Sequence, residues 1–401
     1  MADAVEINMI ALDSGDSSMP TLLVGVDALY VGRKLRDTIA AATGLPAERI
    51  LTFASHTHRA PMLDDSKPLL GSPEPGHLQR VLNMAEAHAT RLVSAPRAPA
   101  ELLAAKGNAD HSINRRLRKA LTLSLPPTFG KVVNAPNVAG PRDETIITAT
   151  VRDSVGRALG VIWNYACHPV AGPHANVVSA HFPGVVRSSI RSAEGDAELP
   201  VIYVQGFSGN TRPKASANAT SVVRKIQRFL TGPVFEDMSP ERYDEWARGL
   251  AETTGRVRSQ ERALKVDGIG VRRQNMRAEE FYTGGGPSVT FARVSIGAHF
   301  AIVGMNAEVM AEYAPRVRNM VGGEFVCCAG CMDDSFGYLP TAAILGEGGY
   351  EASGFCAEFG IGRVLPSAES AALQGFRAVA RAAESGVQSG APTAGEPTQN
   401  V

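Results

Sequence analysis

The chain has 401 residues, with 40 lysines and arginines against 40 aspartates and glutamates. That balance argues against charge-driven binding to nucleic acid or to an anionic membrane, and no apolar run approaches the roughly 20 residues that span a bilayer. Five cysteines, an odd number, sit mostly in apolar runs. With an acidic opening stretch from Met1 to Glu6 that lacks the regions of a secretory leader, they make a reduced, cytoplasmic protein the expectation.

In chain order, residues 21–28 read as a strand, and 29–43 carry Leu29, Val31, Leu35, Ile39 and Ala42 at near-helical spacing before Gly44. Ile50 to Ala54 is a short apolar strand running into Ser55-His56-Thr57-His58. Residues 62–76 are rich in proline, glycine and aspartate and predict a loop, and 77–93 predicts a helix. Apolar runs at 146–151, 159–166, 200–206, 298–305 and 324–329 then alternate with helical patterns at 184–194, 215–231, 239–264 and 307–321. The charges of 239–264 read as a solvated face opposite Trp246, Leu250 and Val257. The alternation predicts an α/β fold, a layered mixed β-sheet domain flanked by helices and covering residues 1–384. Residues 385–401 have the composition of a disordered tail. Cys328 and Cys331 form one C-x-x-C pair with no second pair to complete a zinc knuckle.

Five of the apolar runs end in polar clusters: His56 and His58; His168; Ser208 to Pro213; Asn306 to Glu308; and Asp333 to Tyr338. The second belongs to Asn164-Tyr165-Ala166-Cys167-His168-Pro169, and His174 and His181 follow it, out of nine histidines in the chain. If the strands are parallel neighbours, their C-terminal ends share one rim and these side chains converge. Two imidazoles and a carboxylate there suit zinc with an open position for water. Taken singly, each residue has a plainer reading. His56 and His58, alternating along a strand, include one surface histidine; Glu308 heads a helix and favours its positive end; Tyr338 packs a turn; Arg212 is a solvent charge.

The motifs together resemble the catalytic N-terminal domain of the neutral ceramidase family. Ser55-His56-Thr57-His58-Arg59-Ala60-Pro61, Asn114-Arg115-Arg116, residues 164–169, Ser179 to Gly184, Ala307-Glu308, Gly337-Tyr338-Leu339-Pro340 and Tyr350-Glu351 occur in the family's order. The resemblance implies a zinc amidohydrolase in which His56, His168, Glu308 and Tyr338 are the metal ligands. It implies that His58 handles protons and that Arg115 and Tyr350 receive negative charge on the substrate carbonyl. The chain departs from the family at Asn210 (for aspartate), Arg212 (for serine) and His181 (for aspartate). These three are assigned to substrate binding, because an arginine at the site mouth suits a carboxylate or phosphate. The family's opening segment, its C-terminal immunoglobulin-like domain and its secretory signal are also expected to be missing. The expected activity is zinc-dependent cleavage of an N-acyl amide in a small substrate that can be anionic, with no nucleic-acid partner and no membrane insertion. Ester or lactone hydrolysis, or a zinc- or ligand-binding protein that has lost catalysis, are the alternatives.

Overall fold

The computed structural model describes residues 4–15, 19–122, 128–172 and 177–380. His174 and the 385–401 tail lie outside the described residues. The first half holds β1 (Ile7–Leu12), β2 (Thr21–Val26), β3 (Ile50–Ala54), β4 (Ala100–Asn108), β5 (Ser112–Thr122), β6 (Thr128–Asn137), β7 (Thr145–Asp153) and β8 (Ala158–Tyr165), with helices α1 (Arg33–Thr43), α2 (Pro75–Ser94) and α3 (His181–Glu194). The second half holds β9 (Val201–Gln205), β10 (Thr211–Pro213), α4 (Val222–Thr231), α5 (Pro240–Arg258), β11 (Arg262–Leu264), β12 (Ile269–Met276) and β13 (Val289–Ile296). It continues with β14 (Phe300–Met305), β15 (Glu308–Val309), α6 (Tyr313–Val321), β16 (Phe325–Ala329), β17 (Tyr338–Leu339), α7 (Ala342–Glu347), α8 (Cys356–Phe359) and α9 (Ala368–Ala380).

The strands form sheets in the orders β1-β2-β3, β11-β4-β7-β8-β9 and β12-β13-β14-β16, with smaller sheets β10-β5-β6 and β15-β17. Parallel pairs occur at β2–β3, β8–β9, β14–β16 and β15–β17, and the other pairs are antiparallel. The inner faces of the three larger sheets meet in one apolar core containing Leu23, Phe53, Ile162, Ile202, Ile302 and Phe325. Outer faces are covered by helices. Leu22 and Val24 pack with Leu35 and Ile39 of α1 and Leu78 of α2; Trp163 and Tyr203 with Phe182 of α3 and Trp246 of α5; Val303 and Val326 with Val317 of α6 and Phe376 of α9. Along β14 the side chains alternate between the two cores, Phe300 and Ile302 inward, Ala301 and Val303 outward. A strand apolar on both faces reads as a continuous run, which is why these strands were visible in sequence. The predicted layered α/β architecture is the one observed.

Four element boundaries differ from expectation. The first helix begins at Arg33 rather than 29, because Gly32 sits at φ 72 and a Cβ there would come 3.1 Å from Asp64. The helix predicted over 239–264 stops at Arg258, and its last residues form β11. The predicted 215–231 helix is shortened to α4 by a turn at Lys214–Ala217. Glu308 heads no helix: it lies in β15, and α6 begins only at Tyr313.

Candidate metal centre

The ends of β3, β8, β9, β14 and β16 converge, but from three sheets rather than from one. Backbone hydrogen bonds lace them together. Ala54 N–H donates to Cys331 O, Gly206 N–H to Tyr165 O, Gly330 N–H to Gln205 O and Cys331 N–H to Ala307 O. Buried Asn164 adds a side-chain tie, its Nδ2 donating to Val204 O at 2.7 Å and Cys328 O at 2.9 Å. This is the local reason for an asparagine in an otherwise apolar strand: it satisfies carbonyls on two neighbouring sheets.

β3 ends at Ala54, so His56 and His58 lie beyond the strand and do not alternate along it. His56 turns the chain with φ 62. A non-glycine residue held there costs roughly 1–2 kcal/mol. His181, Cys331 and Asp333 are also left-handed, at φ 57, 49 and 51, and such strain gathers at functional sites.

His56 Nδ1 faces Leu29 O at 2.9 Å, and His168 Nδ1 faces Ser208 O at 3.1 Å. A carbonyl oxygen only accepts, so each Nδ1 carries the proton and each Nε2 presents a lone pair. Those two Nε2 atoms are 3.0 Å apart. Glu308 Oε2 lies 3.3 Å from one and 3.4 Å from the other, and it has no hydrogen-bond partner. Three buried nitrogen and oxygen atoms therefore converge on one point, where a shared proton or a cation can be held. Burial works against a charge on His56, yet Cys331 and Glu308 overcome it and raise its pKa, so with no ion bound His56 favours the protonated form and faces the Glu308 carboxylate. Burial and then Arg115 hold His168 neutral. Glu308 is pushed up by burial but brought down to about 2 by His56, Tyr30 and Tyr338. Imidazole nitrogens and a carboxylate oxygen are donors that zinc accepts, so the residues present fit a metal ion. Ring nitrogens of His56, His58 and His168 all lie within 4.8 Å of one another.

Glu308 and Tyr338 are direct partners in the β15–β17 pairing. The Tyr338 hydroxyl reaches the Glu308 carboxylate and accepts from Arg115 Nη2 at 3.0 Å. Arg115 is further held by Glu351 through Nε at 2.8 Å and by Gly209 O through Nη2 at 2.8 Å. Its Nη1 has no partner among the described residues and is the end left for a ligand. Glu351 also binds Arg116 Nη1 at 2.8 Å, which gives the second arginine of the Asn-Arg-Arg element a supporting role.

His58 is exposed, its ring edge-on to His56 at 5.0 Å, and it makes no side-chain hydrogen bond to a described residue. Surrounding protein, and then His56, disfavour its charged form, so its ring stays neutral at the mouth of the site. Tyr350 sits at the rim, 43% exposed, its ring 5.6 Å from that of Tyr338 and its hydroxyl donating to Glu358 Oε2 at 2.6 Å.

The three departures from the family pattern divide. Asn210 is fully buried and committed to the fold: Nδ2 donates to Glu312 at 2.8 Å and Oδ1 accepts from Ala311 N–H at 3.0 Å. His181 lies with its Nδ1 unpartnered, and burial followed by Arg59 lowers its pKa to about 3. Arg212 stacks on Phe235, 4.2 Å from the ring centroid, with Asp237 at 3.9 Å and its Nε unpartnered. Tyr30 was missed by sequence reasoning. It is buried beside the His56 ring at 5.2 Å, and its hydroxyl donates to Glu308 Oε1. That bond leaves Oε2 to face the imidazoles.

The sequence matches no protein-family model and no curated protein. Among solved structures, a neutral ceramidase from Pseudomonas aeruginosa aligns with TM-score 0.68 at 15% identity, covering 95% of this chain and 72% of that one. A ceramidase complexed with C2 aligns with TM-score 0.68 at 14% identity, covering 95% and 73%. The chain therefore has the neutral ceramidase-like fold.

Proposed function

We propose that this protein is a zinc-dependent hydrolase that cleaves an N-acyl amide bond in a small substrate able to carry an anionic group. The observation that carries the reading is the unpartnered Glu308 Oε2 beside two facing imidazole Nε2 atoms at 3.3 and 3.4 Å. The motif resemblance and the ceramidase-like fold support it. His56, His168 and Glu308 would hold the ion, with Tyr338 alongside. Bound there, zinc supplies Lewis acidity and activation of water.

The chain's own groups supply the rest. Arg115, fixed by Glu351, Gly209 and Tyr338, would supply a fixed positive charge to stabilise the carbonyl oxygen as it gathers charge. Neutral His58, at the mouth, takes a proton from the attacking water and returns it to the departing amine. Tyr350 closes the rim, and its hydroxyl can serve the carbonyl only by leaving Glu358. Arg212, whose Nε is unpartnered, is the charge assigned to an anionic substituent, with neutral His181 as a hydrogen-bonding group.

The test pairs metal analysis with a substrate panel. Purified protein should bind close to one zinc per chain, and His168→Ala should lose most of it. The zinc-loaded enzyme should hydrolyse N-acyl amines or N-acyl amino acids. Wild type and mutant equally metal-free would remove the reading. Turnover of lactones alone would replace amide with ester chemistry.

A further inference from the structure

Helix α4 is built inside out. Its half-buried residues are Gln227 and Thr231, and none of its side chains is fully buried. At 100° per residue, Val222, Val223, Ile226, Phe229 and Leu230 share one sector of about 120°. All five are between 55% and 89% exposed. Arg224, Lys225 and Arg228 occupy the remainder, and the helix holds no acidic residue. A face of this kind on a folded domain is turned toward something that is not water.

The helix is anchored as a unit. Ser221 caps it by accepting from Arg224 N–H at 3.3 Å, and Glu236 accepts from the Thr220 and Ser221 backbone just before it. Of the acidic groups that follow the helix, Glu236 is engaged in that cap and Asp237 lies beside Arg212.

We infer that α4 docks the protein on an anionic lipid surface, with Val223, Ile226, Phe229 and Leu230 entering the headgroup–acyl boundary and Lys225 and Arg228 meeting lipid phosphates. Apolar residues on one face and basic residues on the other are what an interfacial helix requires. The balanced overall charge argues against attraction of the whole chain to an anionic membrane, but the positive charge on α4 is local and acts at the contact itself. A second copy is the poorer occupant. A two-fold pairing of α4 through its apolar sector would leave Arg224, Lys225 and Arg228 on the outside with no acid on the helix to answer them. Ten residues also present far less than the roughly 800 Å² per partner of a stable interface. The chain's own C-terminal 17 residues are no better suited, since Val387 and Val401 are their large apolar side chains.

Flotation of the full-length protein with phosphatidylcholine vesicles, with and without phosphatidylserine, tests this. Wild type should float with the phosphatidylserine vesicles and release as salt rises. Val223→Asp/Phe229→Asp should lower partitioning at least ~tenfold, as should Arg224→Gln/Lys225→Gln/Arg228→Gln, while melting temperature and metal content stay at wild-type values. The inference is overturned if wild type stays with the soluble fraction under both compositions, or if either variant floats like wild type. It is equally overturned if wild type sediments as a dimer that Val223→Asp/Phe229→Asp splits.

Discussion

In the proposed metal site Glu308 would serve as a ligand with one of its oxygens already occupied. Tyr30 takes Oε1, so the carboxylate is locked with Oε2 toward His56 and His168. Second groups of this kind typically account for 10–100-fold in metal affinity. Tyr30→Phe keeps the ring against His56 and Phe359 but removes the donor. Zinc affinity, measured by competition with a chelator, should fall about 10–100-fold with the melting curve of the metal-free protein little changed. An unchanged affinity would reduce Tyr30 to a packing residue. His56, His168 and Glu308 were legible because each follows an apolar strand that ends abruptly in polar residues. Tyr30 was not, because Leu29 and Val31 beside it imitate the first turn of a helix. Glu351 was picked out only as part of the Tyr350-Glu351 motif; its role lies in two arginines 236 and 235 residues away in sequence, which no local pattern shows.

At the scale of elements, the loop after β9 is the part that presses directly on the site. Gly209 N–H donates to Val309 O at 2.9 Å, and a Cβ on Gly209 would stand 2.7 Å from Glu308 O. Gly209→Ala should shift β15, destabilise by about 1–3 kcal/mol in denaturant titration and weaken metal binding together with stability. Loss of neither would mean the loop gives way freely. A second joint is Glu194 at the end of α3, which receives Arg152 of β7 through two bonds of 2.9 and 2.7 Å and also Arg258 of α5. The Arg152 hydrogen bond, with Arg258, overcomes burial and lowers its pKa to about 2, against about 4.3 in an unfolded chain. A depressed carboxylate stabilises the fold above the unfolded value and loses that contribution as pH falls. Melting temperature should therefore drop between about pH 5 and 2, and Glu194→Gln should flatten that stretch of the profile. Parallel strands buried on both faces were legible as apolar runs. β5, β6 and β12 were not, because Lys119, Lys131, Arg272 and Arg273 interrupt the alternation of half-exposed antiparallel strands.

Over the whole molecule, all five cysteines are free and buried, and burial is the first cause raising the thiol pKa of each. They behave as small apolar side chains. A thiol reagent should label the native protein slowly and all five cysteines rapidly in denaturant; rapid native labelling of Cys327 or Cys328 would contradict the placement of β16. The junction of the three sheets has a further consequence, in time rather than in space. Tyr30 meets Glu308 across 278 residues of sequence, and His56 meets His168 across 112. No contiguous segment of the chain contains a working ion site. A ribosome delivers the imidazoles early and the carboxylate late, and domains form as units while synthesis proceeds. On the proposed function, the growing chain could hold its ion only after residue 308 has left the tunnel and β14 and β16 have closed on the earlier strands. Capture of that ion would then report that folding is finished, and a chain terminated early would expose the histidines without the carboxylate.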